Sequence, residues 1–281
     1  MDKFDFTHLN NKVCVITGGS GVLGIALTEG LLKCGIKTAI IGTNTEKTVS
    51  TAAKLQDLYG TICIGIQANV LDKESLIKAK SIINEKLGKI DFLINGAGGN
   101  STNATTQVEQ LTDLNSPEKS FFDLDPEAIG NVFDLNFTGT LLPSMVFAKD
   151  MLKSGKGVIL NISSVNSFKP LTKIPAYSAA KASVNNFTQW LSVHLARTGI
   201  RVNAIAPGFF LTNQNRFLLI DEKTGDPTDR AKKIIANTPV GHYGNPEDLQ
   251  GVCLFLLSDM SSFINGVILP VDGGFSAFGG I

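Results

Sequence analysis

Cysteine and histidine are both scarce in this chain of 281 residues, which contains four cysteines and three histidines. No two cysteines form a Cys-x-x-Cys pair, and each lies in an apolar stretch, so we expect buried free thiols in a reducing compartment. The histidines are widely separated and lack the spacing of metal ligands. The sequence therefore predicts neither a disulfide framework nor a metal site.

Neither sign of charge is in excess, because 25 Lys and Arg residues balance 25 Asp and Glu residues. This balance excludes general electrostatic attraction to nucleic acid or to an anionic membrane as the main activity. Apolar runs, such as residues 252–257, fall far short of the roughly 18 residues that span a bilayer. The first residues show no signal-peptide pattern. We expect a cytoplasmic protein with neither a nucleic-acid nor a membrane partner.

What the sequence does contain is a regular alternation of short apolar runs and longer amphipathic segments. Apolar strands that alternate with helices indicate a parallel sheet covered on both faces. The pattern predicts a Rossmann-type, doubly wound α/β fold with a seven-stranded parallel sheet and helices on both faces. The predicted strands are 12–17, 37–41, 62–70, 91–95, 158–163, 201–206 and 267–271. The predicted helices are 22–35, 44–59, 73–87, 126–153, 175–198 and 246–258.

No Pro-, Gly- or Ser-rich linker divides the chain, and no internal repeat occurs, so we expect one domain over residues 1–281. Two connections, 96–125 and 207–240, are much longer than the usual 2–6 residues of such folds. Both follow the carboxyl ends of predicted strands, where ligands bind in open α/β sheets. We therefore expect both to be substrate loops.

A glycine-rich turn, TGGSGVLG at residues 17–24, joins the first predicted strand to the first helix. Glycines allow positive φ angles and a close approach of the backbone to a pyrophosphate. The N-terminus of the following helix favours that negative charge. The position of the turn predicts a dinucleotide site, and the alternative is a tight turn without a ligand.

Tyr177 and Lys181 are four residues apart in a predicted helix and therefore share one of its faces. An ammonium group beside a phenol favours the phenolate, which lowers the phenol pKa and makes it a usable acid or base. Ser164 ends the preceding strand and can reach the same pocket. By itself, however, a Tyr-x-x-x-Lys spacing also occurs on solvated helix faces.

Taken together, these motifs resemble those of the short-chain dehydrogenase/reductase family from residue 12 to about residue 275. Asn136 and the segments 95–98, 207–208 and 272–274 add to the resemblance. Within the family, the sequence is most similar to the D-mannonate oxidoreductase, or fructuronate reductase, branch. That likeness rests on the segments 95–100, 121–125, 170–177 and 207–216.

The resemblance implies roles for four catalytic residues. Tyr177 would be the acid/base at the substrate oxygen, and Lys181 would lower its pKa and hold the nicotinamide ribose. Ser164 would orient the substrate oxygen, and Asn136 would hold a water that links Lys181 to solvent. NAD or NADP would supply or accept the hydride. The implied cofactor-binding residues are Gly18, Ser20, Leu23, Gly24, Thr43, Asn69, Val70, Asn95, Ala97, Gly98, Tyr177, Lys181, Pro207, Gly208 and Thr212.

Three positions depart from the family pattern. Val22 occupies a usual glycine position, for which Gly21 is expected to compensate. Asn69 stands where an acid commonly faces the adenine. At the end of the second strand, position 42 lacks the Asp that selects NAD, and position 43 lacks the Arg that favours NADP. Nothing there repels a 2′-phosphate, so we expect NADP rather than NAD.

A sugar acid needs a cation for its carboxylate and polar groups for its hydroxyls. Arg216 and Lys173 are the candidate cations. A bidentate contact between Arg216 and the carboxylate would be the strongest single interaction. The candidates for the hydroxyls are Asn100, Ser101 and Asn213. Either cation would alternatively be a plain surface charge.

Other functions stay open at this point. The enzyme would alternatively reduce another carbonyl, such as 5-ketogluconate or a 3-oxoacyl thioester. A dinucleotide sensor without catalysis is disfavoured, because all four catalytic candidates are present. The family further implies a homotetramer assembled through helices 126–153 and 175–198 and the seventh strand.

Overall fold

The computed structural model of the protein describes residues 5–113, 115–211, 219–221 and 224–280. Seven parallel strands form one sheet, and β1 and β4 are neighbours in it although two strands lie between them in sequence. In sheet order, the strands are β3 (Cys63–Gln67), β2 (Lys37–Gly42), β1 (Val13–Thr17), β4 (Phe92–Asn95), β5 (Gly157–Ile162), β6 (Ile200–Pro207) and β7 (Ile268–Val271).

Helices cover both faces of the sheet. One apolar core holds the buried side chains of α1, α2 and α8, and the other holds those of α3, α5 and α6. This arrangement confirms the predicted Rossmann-type fold. The described helices are α1 (Val22–Lys33), α2 (Thr45–Tyr59), α3 (Lys73–Lys86), α4 (Pro126–Phe133), α5 (Gly139–Ser154), α6 (Pro175–Leu195), α7 (Asp229–Ala236) and α8 (Asp248–Leu257).

The local sequence explains where these elements begin and end. The Asp72 carboxylate caps α3 by accepting hydrogen bonds from the amides of Glu74 and Ser75, and α2 ends at Gly60 in the left-handed conformation with φ 68°. Both are ordinary helix-end signals. None of the helices that the structure describes is long and apolar enough to cross a membrane.

Three elements differ from the predictions. The predicted helix 126–153 is divided by a π-helical turn, Asp134–Thr138, which separates α4 from α5. The strand predicted for 62–70 ends at Gln67, because the Asn69 side chain accepts a hydrogen bond from the Leu71 amide and turns the chain. Helix α7 lies in the connection predicted as a loop over 207–240.

The order of strands reverses between β1 and β4, since β2 lies on one side of β1 and β5 lies beyond β4. Loops that leave the two strands therefore run to opposite sides of the sheet. Ligands of open α/β sheets bind in the crevice that this reversal creates at the carboxyl ends of the strands.

Candidate active site

The crevice is built where the chain leaves β1 and β4. The hydroxyl oxygen of Thr17, the last residue of β1, accepts hydrogen bonds from the amides of Gly96 (3.1 Å) and Ala97 (3.2 Å). One buried threonine thus ties together the two segments that follow the neighbouring strands.

The turn after β1 is packed so closely that it requires glycine. Gly18 has φ +67°, and a Cβ on it would lie 2.9 Å from the Gly96 carbonyl oxygen. A Cβ on Gly24 would lie 2.3 Å from the Gly18 carbonyl oxygen. Val22 begins α1 in ordinary helical conformation, so the departure at position 22 leaves the turn intact.

This turn fits the pyrophosphate of a dinucleotide. Helix α1 begins after Gly21, whose lack of a side chain means that no side-chain cap satisfies the first amides of the helix. Those amides and the positive end of the helix dipole together favour a bound phosphate.

Lys181 lies in α6 and is buried, with only 4% of its surface exposed. Its Nζ donates a hydrogen bond to the Ile162 carbonyl oxygen at the end of β5 (2.8 Å). Burial lowers the pKa of Lys181 from 10.5 to about 8, because an ammonium group loses hydration there. In the described part of the chain, Lys181 has no carboxylate ion-pair partner.

Tyr177 lies one turn before Lys181, and the Lys181 Nζ is 5.7 Å from the centre of the Tyr177 ring. Burial raises the pKa of the Tyr177 phenol, and a hydrogen bond with the Ser164 side chain partly opposes this effect. The net direction is opposite to the lowering that the Tyr-x-x-x-Lys spacing predicts, since burial disfavours the phenolate. The side chain is therefore a protonated acid at neutral pH.

Ser164 follows β5 and brings its hydroxyl beside Tyr177. Its Oγ also accepts a hydrogen bond from the Asn166 amide (3.2 Å), which caps a short turn of 3₁₀-helix. This bond fixes the side chain where it meets the phenol, so the two hydroxyl groups lie together at the carboxyl edge.

Asn136 is fully buried in the π-helical turn between α4 and α5. Its amide nitrogen donates to the carbonyl oxygens of Gly99 (2.7 Å) and Val132 (2.8 Å), and its amide oxygen accepts from the Gly99 amide (3.3 Å). A Cβ on Gly98 would lie 2.7 Å from this oxygen and 3.2 Å from the Lys181 Nζ. Asn136 thus holds the backbone segment that also faces Lys181.

Asn95 is directed into the core. Its amide nitrogen donates to the Ser144 hydroxyl (3.0 Å) and to the Asn161 amide oxygen (2.8 Å), and Asn161 donates in turn to Thr188. The side chain of Asn95, one of the implied cofactor-binding residues, therefore ties β4 to β5 and α5, and only the main chain of Asn95 can face the crevice.

A sequence model of the short chain dehydrogenases matches residues 12–223. The chain belongs to the short-chain dehydrogenase family. It is therefore an NAD(P)-dependent oxidoreductase, in keeping with the glycine turn and with the Ser164, Tyr177 and Lys181 side chains gathered at the carboxyl edge.

Three relatives cover nearly the whole chain. The uncharacterized oxidoreductase UxuB of Bacillus subtilis (strain 168) is 49% identical over 98% of both chains. A protein of Haemophilus influenzae, provisionally named D-mannonate oxidoreductase and solved with bound NAD, superposes with a TM-score of 0.93 at 48% identity over 98% of this chain and 99% of that chain. A gluconate 5-dehydrogenase of Burkholderia cenocepacia, solved with NADP and tartrate, gives a TM-score of 0.83 at 28% identity over 97% and 98%.

Several of the cofactor residues predicted for this short-chain dehydrogenase lie at the ends of strands or in the segments that follow them. A Cβ on Gly42 would lie 3.3 Å from the Ser20 hydroxyl, which places the end of β2 beside the glycine turn. Val70 packs against Gly139 at the start of α5. Gly208 approaches Asp272 so closely that a Cβ would lie 2.7 Å from its Cα.

The structure describes only some of the residues predicted to bind the substrate. Asn100 is exposed and donates to the Thr105 hydroxyl (3.0 Å). Lys173 adopts a left-handed conformation with φ 75°, which is uncommon for a residue other than glycine. The substrate candidates Asn213 and Arg216, and the cofactor candidate Thr212, lie outside the described residues.

Sequence reasoning missed the residues beneath the site. Ser144, Asn161 and Thr188 form the buried network around Asn95. One signal was available, because Asn161 is a polar residue inside an otherwise apolar strand. No group of three or more His, Cys, Asp or Glu residues that could hold a metal occurs in the described ranges.

Proposed function

We propose that this oxidoreductase interconverts a keto sugar acid and the corresponding alcohol, with D-fructuronate and D-mannonate as the pair. The observation that carries the proposal is the likeness, over nearly the whole chain, to the Haemophilus influenzae protein provisionally named D-mannonate oxidoreductase. The gluconate 5-dehydrogenase solved with tartrate, a hydroxy acid, supports the same class of substrate.

In the proposed reaction, Tyr177 exchanges a proton with the reacting oxygen. Its raised pKa keeps the phenol protonated at neutral pH, which suits proton donation to a ketone during reduction. Ser164, hydrogen-bonded to Tyr177, orients that oxygen. NAD(P)H supplies the hydride when bound.

Lys181 and Asn136 support this acid in the proposal. A lysine with a pKa of about 8 can take up and release a proton near neutral pH, so it suits a relay to Tyr177. The Asn136 side chain holds Gly99 and therefore the backbone that Lys181 faces. A bound water at Asn136 stays a prediction.

The experiment that tests the proposed function is turnover of D-mannonate and D-fructuronate with each nicotinamide cofactor, followed by nuclear magnetic resonance to identify the product. We expect reversible conversion of one into the other. Absence of turnover with both cofactors would discard the sugar-acid proposal and leave only the oxidoreductase class.

A second candidate is the 5-keto acid of gluconate. It is favoured by the 28% identity and the TM-score of 0.83 to the Burkholderia cenocepacia gluconate 5-dehydrogenase. The same turnover assay with 5-ketogluconate separates the two candidates.

We also propose that the adenosine side of the crevice accepts NADP in preference to NAD. Position 42 carries no carboxylate, and Thr43 and Lys47 are exposed nearby. A Cβ on Gly42 would lie 2.5 Å from the hydroxyl of the buried Thr48, so an Asp at position 42 fits only when Thr48 is shortened.

The variant Gly42→Asp/Thr48→Ala should raise the ratio of kcat/KM for NAD to that for NADP by at least roughly 10-fold, because like charges repel at close range. Steady-state kinetics with both cofactors measures the ratio. Thr48→Ala alone is the control and should leave it unchanged. An unchanged ratio in the double variant would show that the end of β2 does not contact the adenosine ribose.

We further propose a homotetramer in which α5 and α6 form one interface. Met145 and Leu152 on α5, and Trp190 and Val193 on α6, leave about half or more of their surface exposed. Together they form an apolar face, and contiguous apolar patches often mark association sites. The edge strand β7, which pairs only with β6 among the described strands, suits the second interface.

Replacing Trp190 with Glu should reduce the mass of the assembly in light scattering, because association would bury an unpaired carboxylate. Leu58→Glu is a matched control, since Leu58 is 69% exposed on α2 at the other face of the sheet. If Trp190→Glu keeps the mass of the wild type, the α5–α6 face is not an interface.

A further inference from the structure

A cavity of about 410 Å³ lies at the carboxyl edge of the sheet. Its walls come from four segments, each of which follows a different strand. Glu109 belongs to the connection after β4, and Lys173 to the connection after β5. Phe209 and α7 follow β6, and Phe275 follows β7. A space bordered by four such segments lies where ligands of this architecture bind.

The charged residues of the cavity are mainly cationic. Lys233 of α7 reaches across to Glu109, with the Nζ 3.1 Å and 3.3 Å from the two carboxylate oxygens. This ion pair joins the connection after β4 to α7, and it lowers the pKa of Glu109. The carboxylate of Glu109 is therefore already paired with Lys233.

Two further cations line the cavity, Lys173 and Arg230. Neither forms an ion pair within the parts of the chain that the structure describes. The other lining carboxylate, Asp229, pairs with Lys232 on its own helix (3.3 Å). The cavity therefore presents two cations outside ion pairs, of which Lys173 also acts electrostatically on Glu109 and lowers its pKa.

The wall is apolar opposite these charges. Phe209 and Phe275 pack edge to face, with ring centres 5.0 Å apart, and Ile234 adds an aliphatic surface. Lys173 is half-buried and Arg230 is exposed, so the gain in attraction for an anion that apolar walls give by excluding solvent applies mainly to Lys173.

Two residues of the cavity are close in sequence to residues of the candidate active site. Lys173 lies two residues before the start of α6 and four residues before Tyr177. Its strained backbone is fixed because its carbonyl oxygen accepts a hydrogen bond from the Thr106 amide (2.9 Å). Strain of this kind occurs at ligand sites, where the surroundings hold it in place. Phe209 directly follows Gly208, one of the implied cofactor-binding residues.

We propose that this cavity is the subsite for the carboxylate of the substrate, with Arg230 as its main partner and Lys173 as the second cation. The inference rests on the proposed sugar-acid function, to which it adds the residues that select an acid over a neutral sugar. The planar guanidinium of Arg230 matches a carboxylate with two parallel hydrogen bonds. The Glu109–Lys233 pair closes the outer rim.

The test is equilibrium binding by calorimetry in the Tyr177→Phe background with cofactor present, so that no turnover disturbs the measurement. Arg230→Gln should weaken the binding of D-mannonate by roughly 10-fold or more, the effect of losing a charge-assisted hydrogen bond. Binding of the neutral D-mannitol should stay unchanged. Arg230→Lys, which keeps the positive charge but not the planar guanidinium, should give an intermediate loss of affinity for D-mannonate.

Arg197→Gln is the matched control, because it makes the same change at an exposed arginine that does not line the cavity. It should bind both ligands like the parent. Three results would each overturn the subsite. Arg230→Gln could lose equal affinity for D-mannonate and D-mannitol, it could lose affinity for neither, or the protein with Arg230 intact could fail to bind D-mannonate. Binding that depends on Arg230, without turnover by the wild type, would overturn the proposed function alone.

Discussion

Replacing Tyr177 with Phe should lower kcat by at least roughly 10²-fold, the lower range for loss of a general acid. The substitution removes only the hydroxyl group that Ser164 contacts. Because the ring remains in place beside Lys181, we expect cofactor affinity to stay within a few-fold of the wild type. Stopped-flow kinetics and fluorescence titration with the reduced cofactor measure the two quantities separately.

Tyr59→Phe is the matched control for this variant. Tyr59 ends α2, where its ring faces Lys33 rather than the crevice, so its hydroxyl should be dispensable for turnover. Near-normal turnover in Tyr177→Phe, or an equal loss in Tyr59→Phe, would contradict the assignment of Tyr177 as the acid.

Replacing Lys181 with Met should abolish most activity and yet stabilise the fold near neutral pH. A pKa lowered from 10.5 to about 8 means that charging the buried amine disfavours the folded state by roughly 3 kcal/mol below pH 8. Loss of the hydrogen bond to the Ile162 carbonyl oxygen offsets about 1 kcal/mol of the gain. We expect a net stabilisation of about 2 kcal/mol at pH 7.

The sign of this effect depends on pH. Between the folded pKa of about 8 and the unfolded value of 10.5, only the unfolded wild type binds the proton, so its stability rises with pH in that window. The advantage of Lys181→Met should therefore shrink between about pH 8 and pH 10.5. Urea unfolding across this range tests the prediction. A variant that is less stable than the wild type at pH 7 would contradict it.

Much of the fold could be predicted from the sequence, because buried parallel strands are continuous apolar runs that stand out from the amphipathic helices. Two of the three errors occurred at places where a single asparagine side chain forms a hydrogen bond that marks the end of an element. The side chain of Asn69 turns the chain after β3. The interruption between α4 and α5 falls where Asn136 bonds to Gly99, which lies 37 residues earlier in the sequence. The spacing of apolar residues, from which the helices and strands were predicted, carries no information on either of these hydrogen bonds.

The candidate site, like the fold, could be predicted only in part from the sequence. Tyr177 and Lys181 could be found from their spacing, since a helix fixes the relation between positions four residues apart. The direction of the Tyr177 pKa was wrong, because burial appears only once the chain is folded. The pair of Lys233 with Glu109 spans 124 residues, and no local pattern predicts an ion pair over that distance.

The measurement that tests the central claim most directly is kcat/KM for reduction of three carbonyl compounds by the wild type under identical conditions. These are D-fructuronate, 5-ketogluconate and a 3-oxoacyl thioester, each with its preferred cofactor. We expect D-fructuronate to exceed the thioester by at least roughly 10-fold, the effect of one well-placed charge-assisted hydrogen bond that only the two sugar acids can form. The ratio between D-fructuronate and 5-ketogluconate, which carries the same carboxylate, decides between the two candidate sugar acids. A higher value for the thioester, which lacks the sugar carboxylate, would contradict the assignment as a sugar-acid oxidoreductase.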